Sequence, residues 1–372
     1  MEIATIAGQF AVNGIVFNVE PVGHGNVNDT YLAIYRTVFD ETRLILQRIN
    51  TRVFKEPAKL MANMHLVTSH VHDVFTRELD QSDRIWQLPK IIPTKNGDDF
   101  FVDDKGNTWR AITQIASARS YEKIRNPEHA YEVGCVLGQF HHAISDIDSD
   151  RLYDTLPGFH VTPGYMAQFD EVMKSPEAQE RLRNSKVADN LHKFIEHRRS
   201  WCSVLEDAYQ RGELIHHAIH GDPKTANVMI DDVTGKGTSI IDLDTVKPGL
   251  IHYDIGDCLR SCCNPVGEET RDFTSIRFDT DLCSALLSGY KSQAHDFLSE
   301  ADRHYLFDAV RLITYELALR FFTDYLAGDV YFKIREPGQN LLRARVQAQL
   351  CRSIEANESQ IRRMLESLGP KE

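Results

Sequence analysis

The stretch HGDPKTANVMIDDVTGKGTSIIDLDT, His220 to Thr245, gathers Asp222, Asn227, Asp242 and Asp244 within one short segment. Two apolar runs in it, NVMID and TSIID, read as strands joined by DVTGKG, and in an antiparallel pair residues whose numbers share a sum face each other. Asn227 and Asp242 then lie at the same open end, and Asp222 on the preceding loop can reach it. Two carboxylates and an amide oxygen converging in this way make a hard oxygen site suited to magnesium, with one aspartate left to orient a hydroxyl. The ion relieves the repulsion that would otherwise oppose the arrangement. Such a set suits phosphoryl transfer, which needs aligned oxygens and compensated charge more than covalent help. The bland alternative is a capped turn carrying surface acids.

The elements that must hold these residues follow from periodicity. From Ile15 to about Ile115 the chain reads as short β-rich runs, IVFNVEPV, TYLAIYRT, RLILQRI, LPKIIPT, DDFFVDD and TWRAITQI. One helix interrupts them, with an apolar stripe through Leu60, Met61, Met64, Val67, Val71 and Val74. Beyond Ile115 the pattern turns helical: about Pro127 to Ala143, Pro163 to Lys174, a charged stretch from Pro176 to Arg211, and helices from Phe278 onward. With 372 residues two lobes are the natural expectation, divided as 1–115 and 116–372 around a cleft near Gln114 to Ser117.

Composition narrows the partners. A net charge of −12 argues against nucleic acid or an anionic membrane as the main partner, since both select basic patches. The opening MEIATIAGQF has no positive n-region and no run of about 18 apolar residues occurs, so the expectation is a cytoplasmic protein. The seven cysteines are scattered without a CxxC pair and read as buried free thiols. DIDSDR, Asp146 to Arg151, imitates the start of a calcium loop but puts Arg151 at the glycine position and Pro157 at the closing glutamate; a solvated turn is the better reading.

HGDPKTANVMID, IDLDT and YDIGD together resemble the aminoglycoside phosphotransferase and choline kinase superfamily. The resemblance implies an α+β, two-lobed, protein-kinase-like fold: a small β-rich nucleotide-binding N-lobe and a larger, mainly helical C-lobe. More narrowly, GHGNVNDTY, LILQRIN, VFKEPAKLMANM, DLDTVKPG and ELALRFFTDYLAGDVYFKI look like N-acetylhexosamine 1-kinases, in blocks running from about residue 8 to 350. It implies ATP and Mg2+ as cofactors, Asp222 taking or orienting the acceptor proton, and Lys224 beside the transferring phosphate, where an ordinary surface lysine is the alternative. Asn227 and Asp242 would hold magnesium. Asp244 would touch a second ion through water or hydrogen-bond the loop, and His220 and Asp254 would brace it.

For the nucleotide, the resemblance implies Gly23, Gly25, Asn26 and Asn28 near phosphate oxygens, Arg48 as the third-strand cation, and the backbone of Gln114 to Ala116 at adenine. The helix after that strand offers Glu56 only at its start, which leaves the acid partner of Arg48 open. For the acceptor, Arg320, Asp324 and Tyr331 fall in the segment most like hexosamine kinases. Arg320, flanked by Leu319, Phe321 and Phe322, is an unusual charge for an apolar face; its alternative is a salt bridge with Glu316 or Asp324. His160 is a further candidate, against a core or loop histidine. The implied partner is a small sugar, phosphorylated at its anomeric hydroxyl, with aminoglycoside, choline, ethanolamine or homoserine as other acceptors. A protein kinase is disfavoured because only a short segment separates IDLD from YDIGD. A nucleotide-binding pseudokinase would be expected to lose Asp222, Asn227 or Asp242, and all three are present.

Overall fold

The computed structural model describes residues 2–22, 27–78, 84–294 and 298–369. Gly23, Gly25 and Asn26, expected near phosphate, lie outside them. A short helix α1 (Ile3–Ala7) leads into three strands rich in β-branched and aromatic residues, β1 (Ile15–Pro21), β2 (Asp29–Arg36) and β3 (Glu41–Ile49). Helix α2 (Pro57–Glu78) follows, then β4 (Ile91–Ile92), β5 (Phe101–Val102) and β6 (Thr108–Thr113). The antiparallel sheet runs β1-β2-β3-β6-β4, with β5 also paired to β6. The run LPKIIPT keeps only two residues in strand.

Alternation along β3 and β6 sends side chains to two different environments. Leu44, Leu46, Trp109 and Ala111 pack with Ile6 and Phe10 on the outer face. On the inner face Ile49 and Ile112 join the core that includes the stripe of α2, where Leu60, Met61, Met64, Val67 and Val71 are buried as their spacing required. Each fully buried Leu or Met there contributes about 1.5–3 kcal/mol. The stripe is what seats α2 between the sheet and the helical half.

Strand β7 (Ala118–Arg119) opens that half, followed by α3 (Pro127–Ile144), α4 (Thr162–Val172), α5 (Pro176–Arg183), α6 (Lys186–Arg198) and α7 (Val204–Gln210). The charged stretch is thus three helices; α5 ends with Asn184 as its C-cap, and Ser185 begins α6 by accepting from Ala188 N–H. The hairpin read from the sequence forms as β9 (Val228–Asp231) and β10 (Gly237–Ile240), preceded by β8 (His217–Ile219), which pairs with β11 (Lys247–Gly249). Helices α8 (Ile251–Cys262), α9 (Thr280–Ala294), α10 (Glu300–Ala327), α11 (Gln339–Ala356) and α12 (Glu358–Glu366) complete the chain.

The core of this lobe rests on a very close crossing of α3 and α9. A Cβ on Gly134 would stand 2.0 Å from Leu286 O, and one on Gly289 the same distance from Tyr131 O, so neither position admits a side chain. All seven cysteines are free and buried. Among the described residues no helix is long and apolar enough to cross a membrane.

Candidate active site

The loop between β8 and β9 carries the HGDPKTAN sequence, and one face of α8 holds it. Asp254 accepts from the backbone N–H groups of His220 and Gly221, both at 2.7 Å, and contacts His141 Nε2 at 3.0 Å. Two turns along, Ser261 Oγ accepts from Thr225 N–H at 3.2 Å. His220 is fully buried; its Nδ1 accepts from Asp222 N–H at 3.2 Å, which leaves Nε2 to donate to Ile241 O at 3.0 Å. Burial lowers its pKa, in keeping with a neutral ring used as a brace. His220 and Asp254 therefore spend their polarity on fixing the loop backbone.

What the loop presents is the set read from its spacing. Asp222 is partly exposed and meets Lys224 Nζ at 2.6 Å through Oδ2. Asn227 donates its amide nitrogen to Asp222 O at 2.7 Å and lies 3.3 Å from Asp222 Oδ2. The hairpin brings Ile241 N–H to Asn227 O at 2.8 Å, so the next residue, Asp242, leaves β10 beside that amide. Asp242 adopts left-handed backbone, φ 66° and ψ 54°, a conformation that costs a residue with a Cβ about 1–2 kcal/mol. For Lys224, burial works against the charge, but Asp222 and Asp242 outweigh it and raise the pKa.

These donors fit a divalent cation. Burial, then the charge of Asp244, pushes Asp242 up to about 6, with Asp222 adding to the rise and Lys224 and Arg110 opposing it. A carboxylate crowded by negative neighbours gains most from a hard cation. Asn227, with its nitrogen committed to Asp222, has its amide oxygen to offer. Asp244, expected either to touch a second ion through water or to hydrogen-bond the loop, is engaged elsewhere and corrects that expectation: its Oδ1 pairs with Arg110 Nη2 at 2.5 Å and its Oδ2 accepts from Asn28 Nδ2 at 2.5 Å.

The N-lobe brings two further corrections. Asn28 was expected to meet the nucleotide, yet its amide joins Asp244 to Asn50 N–H, 2.9 Å from Oδ1, so both ends are engaged. Arg48 lies on β3 as read, but directly opposite Asp29 and Trp109, on the outer face. It is exposed and ion-paired with Asp29, which supplies the acid partner missing from the sequence. The neighbouring residue, Gln47, faces inward opposite Arg110 of β6, whose side chain is 1% exposed. A shift of one residue along a strand changes the face, and here it separates a surface cation from the one that reaches the site. Gln114 is half-buried and Ala116 exposed on the connection between β6 and β7.

At the acceptor end the candidates divide. His160 is buried at φ 66°, with Nε2 at 2.8 Å from Gly221 O and Nδ1 at 3.1 Å from Glu316 Oε1. Burial disfavours its charge, but Glu316 more than compensates and its pKa is raised. It is thus the core-histidine alternative, a brace under the catalytic loop. Asp324 also moves to the structural side: its carboxylate accepts from the N–H groups of Val330, Tyr331 and Phe332 and from Asn340 Nδ2, all at 2.8–2.9 Å. Saturated in this way, it shapes the turn that presents Tyr331, which is 60% exposed. Arg320 pairs loosely with Glu316, at 3.5 Å, and its guanidinium lies among the rings of Tyr165, Phe159 and Phe332, 4.6–5.6 Å from their centroids.

Sequence reading named Glu316 only as a partner for Arg320 and missed Arg110 and Asn63, which donates from α2 to Tyr153 O and Val246 O. Arg110 carried a signal: a charge inside TWRAIT, between core residues, is the same kind of anomaly that picked out Arg320.

A sheet-based lobe and a helical lobe meeting over Asp222, Lys224, Asn227 and Asp242 give the architecture of a small-molecule phosphotransferase with a kinase-like fold. Residues 18–285 match the model of the phosphotransferase enzyme family, and the chain belongs to that family. Among solved structures it is similar to an aminoglycoside phosphotransferase from Alicyclobacillus acidocaldarius, at 13% identity over 99% of this chain and 97% of that one, with a TM-score of 0.63. A microcompartment-associated aminopropanol kinase superposes with a TM-score of 0.54 at 15% identity, covering 96% and 97% of the two chains. Ethanolamine kinase from Plasmodium vivax gives 0.51 at 13% identity over 88% and 80%. At these identities the likeness speaks for the fold.

Proposed function

We propose that this phosphotransferase moves the terminal phosphoryl group of ATP to the anomeric hydroxyl of an N-acetylhexosamine, giving the sugar 1-phosphate. In this reading Asp222 orients the acceptor hydroxyl and takes its proton, and the Lys224 ammonium beside it steadies charge developing on the transferring group. Asn227 Oδ1 and the Asp242 carboxylate would hold magnesium, which supplies compensating charge to the nucleotide phosphates when bound. The connection at Gln114 to Ala116 would meet adenine through its backbone. Phosphate contacts from Gly23, Gly25 and Asn26 belong to the same proposal.

The observation that carries the acceptor class is Arg320 within its wall of rings. A chain of contacts runs from Asp222 through Gly221 O, His160 and Glu316 to this guanidinium, so the wall stands behind the catalytic loop. Aromatic rings suit the apolar face of a sugar, and Arg320 and Tyr331 offer donors to its hydroxyl or acetamido oxygens. The same cation, with Lys224, disfavours a choline-like or aminoglycoside acceptor, because juxtaposed like charges oppose binding.

The test is a panel of GlcNAc, GalNAc, other hexoses, aminoglycosides, choline, ethanolamine and homoserine, each with ATP and magnesium, read by ADP release. An acid-labile phosphorylated product from GlcNAc or GalNAc is expected. Refusal of both, with turnover of another hydroxyl compound, leaves the family membership intact and removes the hexosamine assignment.

A further inference from the structure

The inner face of the sheet carries a buried polar cluster that no part of the proposed reaction uses directly. Arg110 projects from β6 and is held by Gln47 of β3, whose Oε1 accepts from Arg110 Nε at 2.9 Å and from Nη2 at 2.7 Å. Gln47 is itself steadied by Thr30 of β2, 3.2 Å from its amide nitrogen. Three strands thus aim one guanidinium at the helical lobe. There Nη2 meets Asp244 at 2.5 Å, and Asn28, just before β2, takes the other oxygen of that carboxylate. Asp244 lies two residues beyond Asp242, inside the short helical turn Leu243–Thr245 that Asp242 caps in left-handed backbone.

We infer that Arg110 is a positioning residue: it fixes the Asp242–Asp244 turn against the N-lobe sheet, and so sets where the Asp242 carboxylate meets metal-bound nucleotide. Two features make the pair a constraint rather than decoration. Both side chains are almost fully buried, 1% and 3% exposed, and a buried carboxylate that loses its cation is strongly disfavoured. The contacts of Asp244 also reach across from the turn after β10 to the N-lobe, to Arg110 in the sheet and to Asn28 just before β2. Asn28 holds the same turn through the other carboxylate oxygen of Asp244. The outward-facing Arg48 has no part in this.

The inference rests on the assignment of Asp242 as the metal-holding carboxylate, but its test needs no acceptor. Arg110→Met leaves Asp244 unpaired and is at risk of failing to fold, so Arg110→Lys, which keeps the charge and loses the fork to Gln47, is the decisive variant. Hydrogen exchange of the metal-free protein, read by peptide mass spectrometry, should show faster exchange across 242–246 in Arg110→Lys than in the parent. By calorimetry its affinity for ADP with magnesium should fall about tenfold or more, as for the groups that orient metal ligands elsewhere, while affinity for ADP in EDTA stays within about twofold. Unchanged exchange and unchanged magnesium-ADP affinity would overturn the proposal, as would equal losses of ADP affinity with and without magnesium. If Asp242→Ala leaves magnesium-ADP affinity intact, the metal assignment fails instead; if only the sugar panel fails, the role of Arg110 is untouched.

Discussion

The phosphoryl and acceptor parts of the proposed site solve the same problem, holding polar groups ready near a core, in opposite ways. At the phosphoryl end the bracing and the chemistry are divided between residues. Asp254, His220 and Ser261 take care of the loop backbone, and Asp222, Lys224, Asn227 and Asp242 are left to act. At the acceptor end bracing has absorbed most of the polar residues in reach. His160 and Glu316 are tied to each other and to the loop, and Asp324 holds four donors. Arg320 and Tyr331 are what remain, set among rings. The phosphoryl-end set is served by short-range spacing, whereas the acceptor site we propose would be assembled from α10, the turn after it and the segment around His160, far apart in the chain.

The comparison breaks most visibly at Asp222. Asp222→Asn should reduce turnover by about 10²–10⁴ with magnesium-ATP binding by calorimetry largely retained, since the hydroxyl-orienting group is not the principal metal ligand. Near-normal turnover would end the assignment. Asp242→Ala should lose metal-dependent nucleotide affinity as well, which distinguishes the two carboxylates.

The next largest effect tests the bracing itself. Asp254→Ala leaves the N–H groups of His220 and Gly221 buried without their acceptor, and stability by urea denaturation should fall by about 3–5 kcal/mol. Asp254→Asn, which keeps one acceptor oxygen, should lose less. If Asp254→Ala unfolds at the parental urea midpoint yet loses turnover, Asp254 belongs with the chemistry and the division of labour is wrong.

The difference between the ends also decides what could be read in advance. HGDPKTAN and the following hairpin are one local unit, so the spacing of Asp222, Asn227 and Asp242 carried their convergence, and the stripe of α2 carried its burial. The strand containing Arg48 was legible but its face was not. Residues 47 and 48 differ by one position in an element of period two, and only the pairing of Gln47 with Arg110 reveals which points inward. Asp324 and His160 looked functional because they are polar within apolar stretches; their partners, Asn340 and Glu316, lie 16 and 156 residues away, beyond any local pattern.

A smaller effect belongs to Arg320. If it binds the sugar, Arg320→Ala removes a charged donor from a partly desolvated site, raising the sugar KM by the equivalent of about 1.5–3 kcal/mol while the ATP KM barely moves. If the 3.5 Å contact with Glu316 is its whole role, the melting temperature falls and the two KM values change together or not at all. One variant with three measurements separates these outcomes, and an unchanged sugar KM with a large stability loss would complete the pattern of an acceptor end built mostly from braces.

An effect visible only as a pH dependence lies behind that wall, at Glu206 on α7. Tyr253, whose ring stacks on His160, donates to Glu206 Oε1 at 2.7 Å, and Oε2 is buried with no partner among the described residues. Burial pushes Glu206 up to about 7; Tyr253 opposes the rise, and the charges of Glu316 and Asp207 add to it. Cys202, whose thiol burial pushes up, and Arg199 lie in the same neighbourhood. The fold therefore prefers the protonated acid. Below the ordinary glutamate value both folded and unfolded chains carry the proton and nothing is lost. As pH rises from about 4.5 toward 7 the unfolded chain releases it first, so this group erodes stability over that window by at most about 1.4 kcal/mol per pH unit, and above it the cost is constant. Glu206→Gln should remove that slope from the urea midpoint measured between pH 4.5 and 7, whatever it does to absolute stability. An identical slope in the variant would show Glu206 ionised in the folded protein and would put an unspent carboxylate at the acceptor end, erasing much of its contrast with the phosphoryl end.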